Sequence, residues 1–403
     1  MAGAIYLDNH ATTRLDPRVL EAMLPWLTDH YGNAGSTTHE MGREAREAVD
    51  AARETFAAAI GAAGREIVFT SGATESSNLA ILGTAARAEH LGDPARRQIV
   101  TLVTEHQATL DPVAELERRG FPVARLQVEP QGSERPGRLR LDDLEAALGH
   151  QTLLVSVLLA NNEIGTIQEL APLAAAVHEA GAILHVDCAQ AIGRLPVEVD
   201  ALGADLASFS AHKCHGPKGV GALYVRRRGR AVRVEPLVFG GGQERGMRSG
   251  TLDVPGIVGL AEAARLATAG LADEGPRMQR LRDRLWERLA AGIARLELNG
   301  PPLTAVAADG SPARLVNNLN VHVPGVDGQT LLATLAGDDL AVSSGSACAS
   351  ATPRPSHVLL AIGRDEDQAR ASLRFGLSRF TTEAEVDEAA ARITAGVTRL
   401  RLL

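Results

Sequence analysis

Lysine is almost missing from this sequence. Of its 41 basic residues, 39 are arginine and two are lysine, Lys213 and Lys218. Both lie in one stretch, SFSAHKCHGPKG, from Ser208 to Gly219. That scarcity excludes a lysine-rich nucleic-acid tail, a polylysine lipid anchor and a lysine P-loop elsewhere. Cysteine is scarce too. Cys188, Cys214 and Cys348 are too few, and too odd in number, for a disulfide framework. Aromatic residues make up 3 %, so the core must be mainly Ala, Val, Leu and Ile. No apolar run approaches the ~20 residues that span a bilayer. The start, MAGAIYLDNH, has neither the cationic nor the apolar segment of a secretory signal. The expected setting is reducing and cytoplasmic, with no membrane. A net charge of −8 argues against nucleic acid as a direct partner.

What is present is ordinary for a globular enzyme. The 403 residues are 45 % hydrophobic and 22 % charged, which suggests roughly two domains with a sizeable core. Asp16-Pro17 is a cap and first-turn signal that opens a helix. An Ala-rich amphipathic helix is expected over Arg43–Ile60, stopped at Gly61. Apolar runs follow at Glu66–Ser71, Gln98–Thr104, Thr152–Ala160, Ala182–Asp187, Asp205–Ser210 and Gly221–Arg227. Most are continuously apolar, as in strands covered on both faces, with helical segments between them. The pattern predicts an α/β fold with a largely parallel sheet. The run Arg226–Arg230 reads as a solvated edge. A long helical stretch from about Pro255 is expected to break near Gly275-Pro276. Strands over Leu315–Val323 and Ala371–Leu377 and a last helix from about Thr382 to Leu400 complete a smaller α+β domain.

Three polar clusters follow strands, where open α/β sheets place their ligands. Ser71, Gly72, Ala73 and Thr74 stand at a helix start and offer amides and hydroxyls to a phosphate, although capping alone also explains them. Asp187 ends a strand, as a ring-nitrogen partner or a loop cap. Ser210, His212 and Lys213 end another strand, and a lysine there can form an imine with an aldehyde. A surface role is the alternative for Lys213, but this chain uses arginine wherever a charge alone is needed. Together the clusters compose a pyridoxal 5′-phosphate site. Ala73, Thr74, Ser210 and His212 cradle the phosphate, Asp187 meets the pyridine nitrogen and Lys213 meets the aldehyde. His106 is a stacking partner or a structural histidine. Cys348, in SSGSACASA, sits among small residues that suit a mobile nucleophilic thiol, although a buried packing role is open. Cys188 and Cys214 read as packing residues.

The segments YLDNHATT, EIVFTSGATES, TEH, NNEIG, HVDCAQ, SFSAHK with GPKGVGALYVRRR, GGGQERGMRSGT, SSGSAC and SLRFGLSRFTTE run over nearly the whole chain. In that order the sequence strongly resembles the pyridoxal-phosphate-dependent cysteine desulfurases of the class V aminotransferase family, of the iron–sulfur cluster assembly type. The resemblance implies a fold-type I enzyme. Its large domain, over residues 15–257, would hold a mostly parallel seven-stranded sheet. A smaller α+β domain, over 1–14 and 258–403, would carry a mobile cysteine loop at about 343–355. It implies that Lys213 forms the internal aldimine and moves protons, and that Asp187 and Gln190 contact the ring. His106 stacks and acts as acid or base. Ala73, Thr74, Ser210 and His212 hold the phosphate, with Ala211 counted among the cofactor-binding residues. Thr251 reaches the neighbouring subunit's phosphate in a homodimer. Asn162, also a cofactor contact, and Arg374 bind the carboxylate of L-cysteine. Cys348 takes the sulfur as a persulfide and alanine leaves. An acceptor protein, a scaffold or carrier of unknown identity, then takes the sulfur. Two departures stand out. Cys214-His215 replaces the usual Ile-Tyr, and Pro353, Arg354 and Pro355 make the segment after Cys348 more proline-rich. Housekeeping members also have a further C-terminal tail that docks the cluster scaffold, and this sequence ends at Leu403.

Two other readings compete. A selenocysteine lyase or small-substrate aminotransferase would share the fold, and an aminotransferase has no need of Cys348. A zinc protein could use His185, Cys188, His212, Cys214 and His215, though their spacing fits no common zinc module. A guanidinium keeps its proton and cannot form an imine. Lys213→Arg should therefore abolish the yellow colour and the activity, and Lys218→Arg should keep both. Equal effects of the two substitutions would refute the assignment.

Overall fold

A computed structural model describes residues 4–92, 95–344 and 354–402. Cys348 and most of the proposed cysteine loop lie outside the described residues. In chain order the elements are β1 (Ile5–Tyr6), α1 (Pro17–Leu27), α2 (Glu40–Ala58), β2 (Ile67–Thr70), α3 (Ala73–His90), β3 (Gln98–Leu102), α4 (Gln107–Arg118), β4 (Val123–Leu126), α5 (Leu141–Ala147), β5 (Thr152–Leu158), α6 (Leu170–Glu179), β6 (Ile183–Asp187), β7 (Leu206–Ser210) and β8 (Gly221–Val225). The second half adds α7 (Val254–Ala269), α8 (Leu271–Gly292), β9 (Glu297–Leu298), β10 (Asn318–His322), α9 (Gly328–Gly337), β11 (Leu340–Ala341), α10 (His357–Ala361), α11 (Glu366–Arg370), β12 (Ser372–Gly376) and α12 (Glu383–Arg401).

Seven strands form one sheet in the order β2-β8-β7-β6-β5-β3-β4. β8 pairs antiparallel with both β2 and β7, and the other pairs are parallel. Six strands therefore run the same way. The carboxyl ends of β2, β3, β5, β6 and β7 all open on one edge, where an α/β sheet binds its ligands. Continuous apolar sequence makes this possible. Every residue of β5, β6's Leu184–Asp187, β7 and β8 is buried, as strands covered on both faces require. β4 was not legible in the sequence, because VARL is short, carries Arg125 and is only half-buried at the sheet's edge.

The helix starts follow their sequence signals. Asp16 caps α1 through the Arg18 amide, with Pro17 at the first helical position. Thr382 and Glu385 form a capping box on α12. The long helical stretch breaks at Gly270 rather than at Gly275-Pro276, and its two halves are bent by 74°. Pro276 lies inside α8 as its sixth residue, where it removes one intrahelical donor without ending the helix. Among the described residues no single helix is long and apolar enough to cross a membrane.

A second core gathers Ile5 and Leu7 with Leu285, Leu289, Leu319, Val321, Leu373, Phe375 and Ile393. It lies under the antiparallel sheet β12-β10-β9 and the small parallel pair β1-β11. The arginine run is a solvated edge only at its end, where Arg230 is exposed. Arg226 pairs with Asp200 and the buried Asp205, and Arg228 pairs with the buried Glu66. Buried carboxylates at the rim of the sheet need cations, and this run supplies them.

His185 lies wholly inside the large sheet. Its Nδ1 meets Ser156 Oγ and its Nε2 meets Ser208 Oγ, each at 2.8 Å. Both nitrogens thus serve neighbouring strands rather than a metal. Burial pushes its pKa from 6.5 down to about 3. The folded protein therefore binds fewer protons here than the unfolded chain. This stabilising contribution is complete above the unfolded value and is lost as pH falls through the folded one. The melting temperature should fall as the pH drops from about 6.5 to 4, with at most ~1.4 kcal/mol per pH unit from this group. His185→Asn should flatten that slope, and an unchanged slope in the variant would count against this account.

Candidate active site

At the carboxyl edge of the large sheet lies a cavity of about 920 Å³, ample for a cofactor with substrate. Five strand ends furnish its floor. The turn after β2 brings Ser71, Gly72, Ala73 and Thr74, and β3 leads to Glu105 and His106. Asn162 follows β5, Asp187 ends β6 with Gln190 in the turn beyond it, and Ser210 ends β7 with His212 and Lys213 after it. The N-terminal segment contributes His10, Ala11 and Thr12, while β12 contributes Arg374.

Ten of the sequence-predicted residues therefore line one cavity: Ala73, Thr74, His106, Asn162, Asp187, Gln190, Ser210, His212, Lys213 and Arg374. Ala211 does not. Its amide donates to Val220 O at 3.1 Å, and its carbonyl accepts from Cys214 and Gly216, so it braces the lysine turn from behind. Thr251 is exposed on the loop before α7 and does not line the cavity.

At the phosphate-type end, α3 begins with its amides at the cavity wall. Gly72 is its N-cap and brings no capping side chain. Its φ of +148° is a conformation that suits glycine, and an added Cβ would stand 3.7 Å from Ser210 Oγ. A helix start kept clear of side chains, flanked by Thr74, Ser210 and His212, is a fitting anion cradle. His212 Nδ1 meets Thr12 Oγ1 at 3.1 Å, and burial with nearby cations pushes its pKa down to about 4. It is therefore a neutral hydrogen-bonding ring at physiological pH.

Lys213 ends in a carbonyl bracket. Its Nζ donates to His10 O at 2.5 Å and to Ala11 O at 2.7 Å. Asp187 is buried, which raises its pKa, while the Ala189 amide at 2.8 Å, His106 and Lys213 draw it back toward the charged form. His106 Nδ1 accepts the Ala108 amide at 3.1 Å as the cap of α4. That fixes the tautomer, so the neutral ring carries its proton on Nε2. Gln190 Oε1 meets His10 Nδ1 at 3.1 Å, and its Nε2 donates to His10 O at 3.0 Å. Arg374 holds Asp8 at 2.8 Å and Asn162 O at 3.2 Å, and its side chain is 1 % exposed.

Several site residues escaped the sequence reading. His10, Ala11 and Thr12 were visible as the motif YLDNHATT but carried no role. Glu105 is fully buried. Its Oε1 accepts the Leu158 amide at 2.8 Å, and its Oε2 has no protein partner among the described residues. Burial, with Asp187 nearby, raises its pKa well above the usual carboxylate range and so favours the protonated form. Lys218 also lines the cavity, which puts both lysines of the chain at one site.

A primary amine, a buried carboxylate and a side-chain-free helix start around one cavity define an α/β enzyme built for a phosphorylated aldehyde cofactor. The chain belongs to the aminotransferase class-V family, whose sequence pattern matches residues 5–389. It is 50 % identical over 397 residues to the cysteine desulfurase IscS of Anaeromyxobacter dehalogenans (strain 2CP-C), covering 98 % of this chain and 93 % of that protein. It is 47 % identical to the cysteine desulfurase IscS of Methylobacillus flagellatus (strain ATCC 51484 / DSM 6875 / VKM B-1610 / KT), over 99 % of this chain and 93 % of that one. Among solved structures it resembles a NifS-like protein with a TM-score of 0.88 and 38 % identity, covering 98 % of this chain and all of that one (100 %). It also resembles SspA in complex with cysteine, with a TM-score of 0.77 and 32 % identity, over 94 % of this chain and 100 % of that one. The cofactor of this enzyme family is pyridoxal 5′-phosphate, and the residues present fit it.

A side chain at position 72 should spoil the cradle. Gly72→Val is expected to cost about 1–3 kcal/mol of backbone strain and to leave the purified protein substantially depleted of cofactor. Full cofactor content with an unchanged melting temperature would show that the turn tolerates the side chain.

Proposed function

We propose that the protein is a cysteine desulfurase that converts L-cysteine to L-alanine and leaves the sulfur as a persulfide on Cys348. The observation that carries this reading is the convergence of Lys213, Asp187, His106 and Arg374 on one cavity, in a chain whose relatives are named cysteine desulfurases. Pyridoxal 5′-phosphate, when bound, supplies an electron sink for the pair released at the substrate Cα. Lys213 anchors it and carries the Cα proton on Nζ, and the carbonyls of His10 and Ala11 hold that ammonium when the amine is free. Asp187 serves the ring nitrogen. Arg374, oriented by Asp8, receives the substrate carboxylate together with Asn162. His106 offers its Nε2 proton to a developing negative charge.

The sulfur step balances without an added oxidant. The Cys348 thiolate bonds to the substrate sulfur and the substrate C–S bond breaks. The three-carbon remainder takes up protons and leaves as alanine. The thiolate is the reactive form. A sulfur acceptor protein then takes the outer sulfur.

In this reading two copies of the chain form a homodimer in the cytoplasm, and Thr251 of each reaches the other's phosphate. Phe239, 80 % exposed on the loop that precedes Thr251, supports a covering partner there. By sequence, the chain divides into a large cofactor domain over residues 15–257 and a smaller domain over 1–14 and 258–403. The packing of α7 against α1 and α2 favours Gly270 as the boundary between them.

Cys348→Ala should lower alanine and persulfide formation by at least about a hundredfold while the cofactor's visible spectrum stays as in the wild type. Undiminished alanine and sulfide release from L-cysteine would refute the desulfurase reading.

A further inference from the structure

Arg194 stands on the turn after β6, beyond Asp187 and Gln190, and it is buried. Its Nη2 donates to Asn9 O at 3.0 Å and to Lys213 O at 3.1 Å. Its Nη1 donates to Gln190 O at 3.3 Å and to Gln190 Oε1. Every one of these acceptors is a neutral oxygen. No carboxylate lies within ion-pairing distance of this guanidinium among the described residues, whereas Arg374 has Asp8 and Arg53 has Glu244.

The three consecutive carbonyls of residues 9, 10 and 11 receive two cations. Asn9 O holds Arg194, and His10 O with Ala11 O holds the Lys213 amine. Glu274 and Arg379 line one small cavity with Arg194 and Lys213, and Asp16 acts on His215 nearby, but Glu274 pairs with Arg379 and Asp16 with Arg379 and Arg18, so these carboxylates have cations of their own. Asp187 and the Lys213 amine act on each other electrostatically. Arg374 and Lys218 add positive charge, and Cys214 is a buried, protonated thiol. His10, His212 and His215 are all held neutral by burial.

We propose that Arg194 is a positioning residue for the amine chemistry: its guanidinium fixes Gln190 and the Lys213 turn, and its unpaired positive charge eases the loss of a proton from Lys213. An amine that must alternate between carrying a proton and attacking carbon gains from a fixed neighbouring cation, which favours the uncharged form. The arrangement also fixes the Gln190 amide. Asn318 Nδ2 donates to His10 Nε2 at 3.1 Å, so His10 carries its proton on Nδ1 and donates to Gln190 Oε1, the oxygen that Arg194 also holds.

The inference rests on the reading of Lys213 as the cofactor lysine. The experiment is a pH titration of the visible absorption band of substrate-free holoenzyme. Arg194→Met should raise the midpoint by about one pH unit, and Arg194→Lys should leave it near the wild-type value. An unchanged midpoint in Arg194→Met would overturn the proposal. If Arg194→Met does not fold, Arg194→Lys decides. It keeps the charge but not the four-way hydrogen bonding, so a full-unit rise there would show that charge is not the agent. A wild-type protein with no visible band would instead refute the cofactor reading.

Discussion

The site depends on a few backbone carbonyls near the N-terminus. Asn9, His10 and Ala11 accept from Arg194, Gln190 and Lys213, which come from the turns after β6 and β7. The same segment is fastened to the second core. Asn9 donates to Gly376 O through both its amide and its side chain, and Gly376 donates to Leu7 O. A Cβ on Gly376 would meet His10 Cδ2 at 2.7 Å, so the close approach requires glycine. One extended segment thereby couples the lysine to β12, which carries Arg374. The amine and the carboxylate-binding guanidinium are set by a single rigid connection.

The cavity also manages its charge by burial. Burial raises the pKa of both carboxylates, but the Ala189 amide, His106 and Lys213 draw Asp187 back toward ionisation, whereas at Glu105 only the Leu158 amide opposes burial. Two ionised carboxylates that close in a dry site would repel each other strongly. His10 and His212 remain neutral, which leaves cations such as Lys213, Lys218, Arg374 and Arg194 to set the potential. A buried guanidinium without a carboxylate costs several kcal/mol relative to solvent. Carbonyl dipoles offset part of that cost at Arg194, as they do at Arg314, which is served by the oxygens of Asn299, Pro301 and Asn318.

Much of this was legible in the sequence. Continuous apolar runs gave the central strands, because doubly covered strands leave no polar face. Their polar ends gave Asp187, Ser210 and Lys213. The scarcity of lysine singled out the amine. The remaining residues were hidden for physical reasons. Arg194 is one arginine among 39, and nothing in its local pattern signals burial. His10 works through its backbone oxygen, which no side-chain identity reveals. Ala211 belonged to a persuasive motif, yet its polar groups are spent inside the turn. The helix break fell at Gly270, which ends the buried face of α7, while α8 runs on through Pro276 with one intrahelical donor fewer.

The most direct test of the central claim is covalent. Borohydride reduction of the purified holoenzyme, followed by peptide mapping, should bleach the yellow colour and leave a pyridoxyl group on Lys213. The chain has one other lysine side chain, so the outcome is unambiguous. Label on Lys218, or a colourless protein that takes up none, would contradict the account.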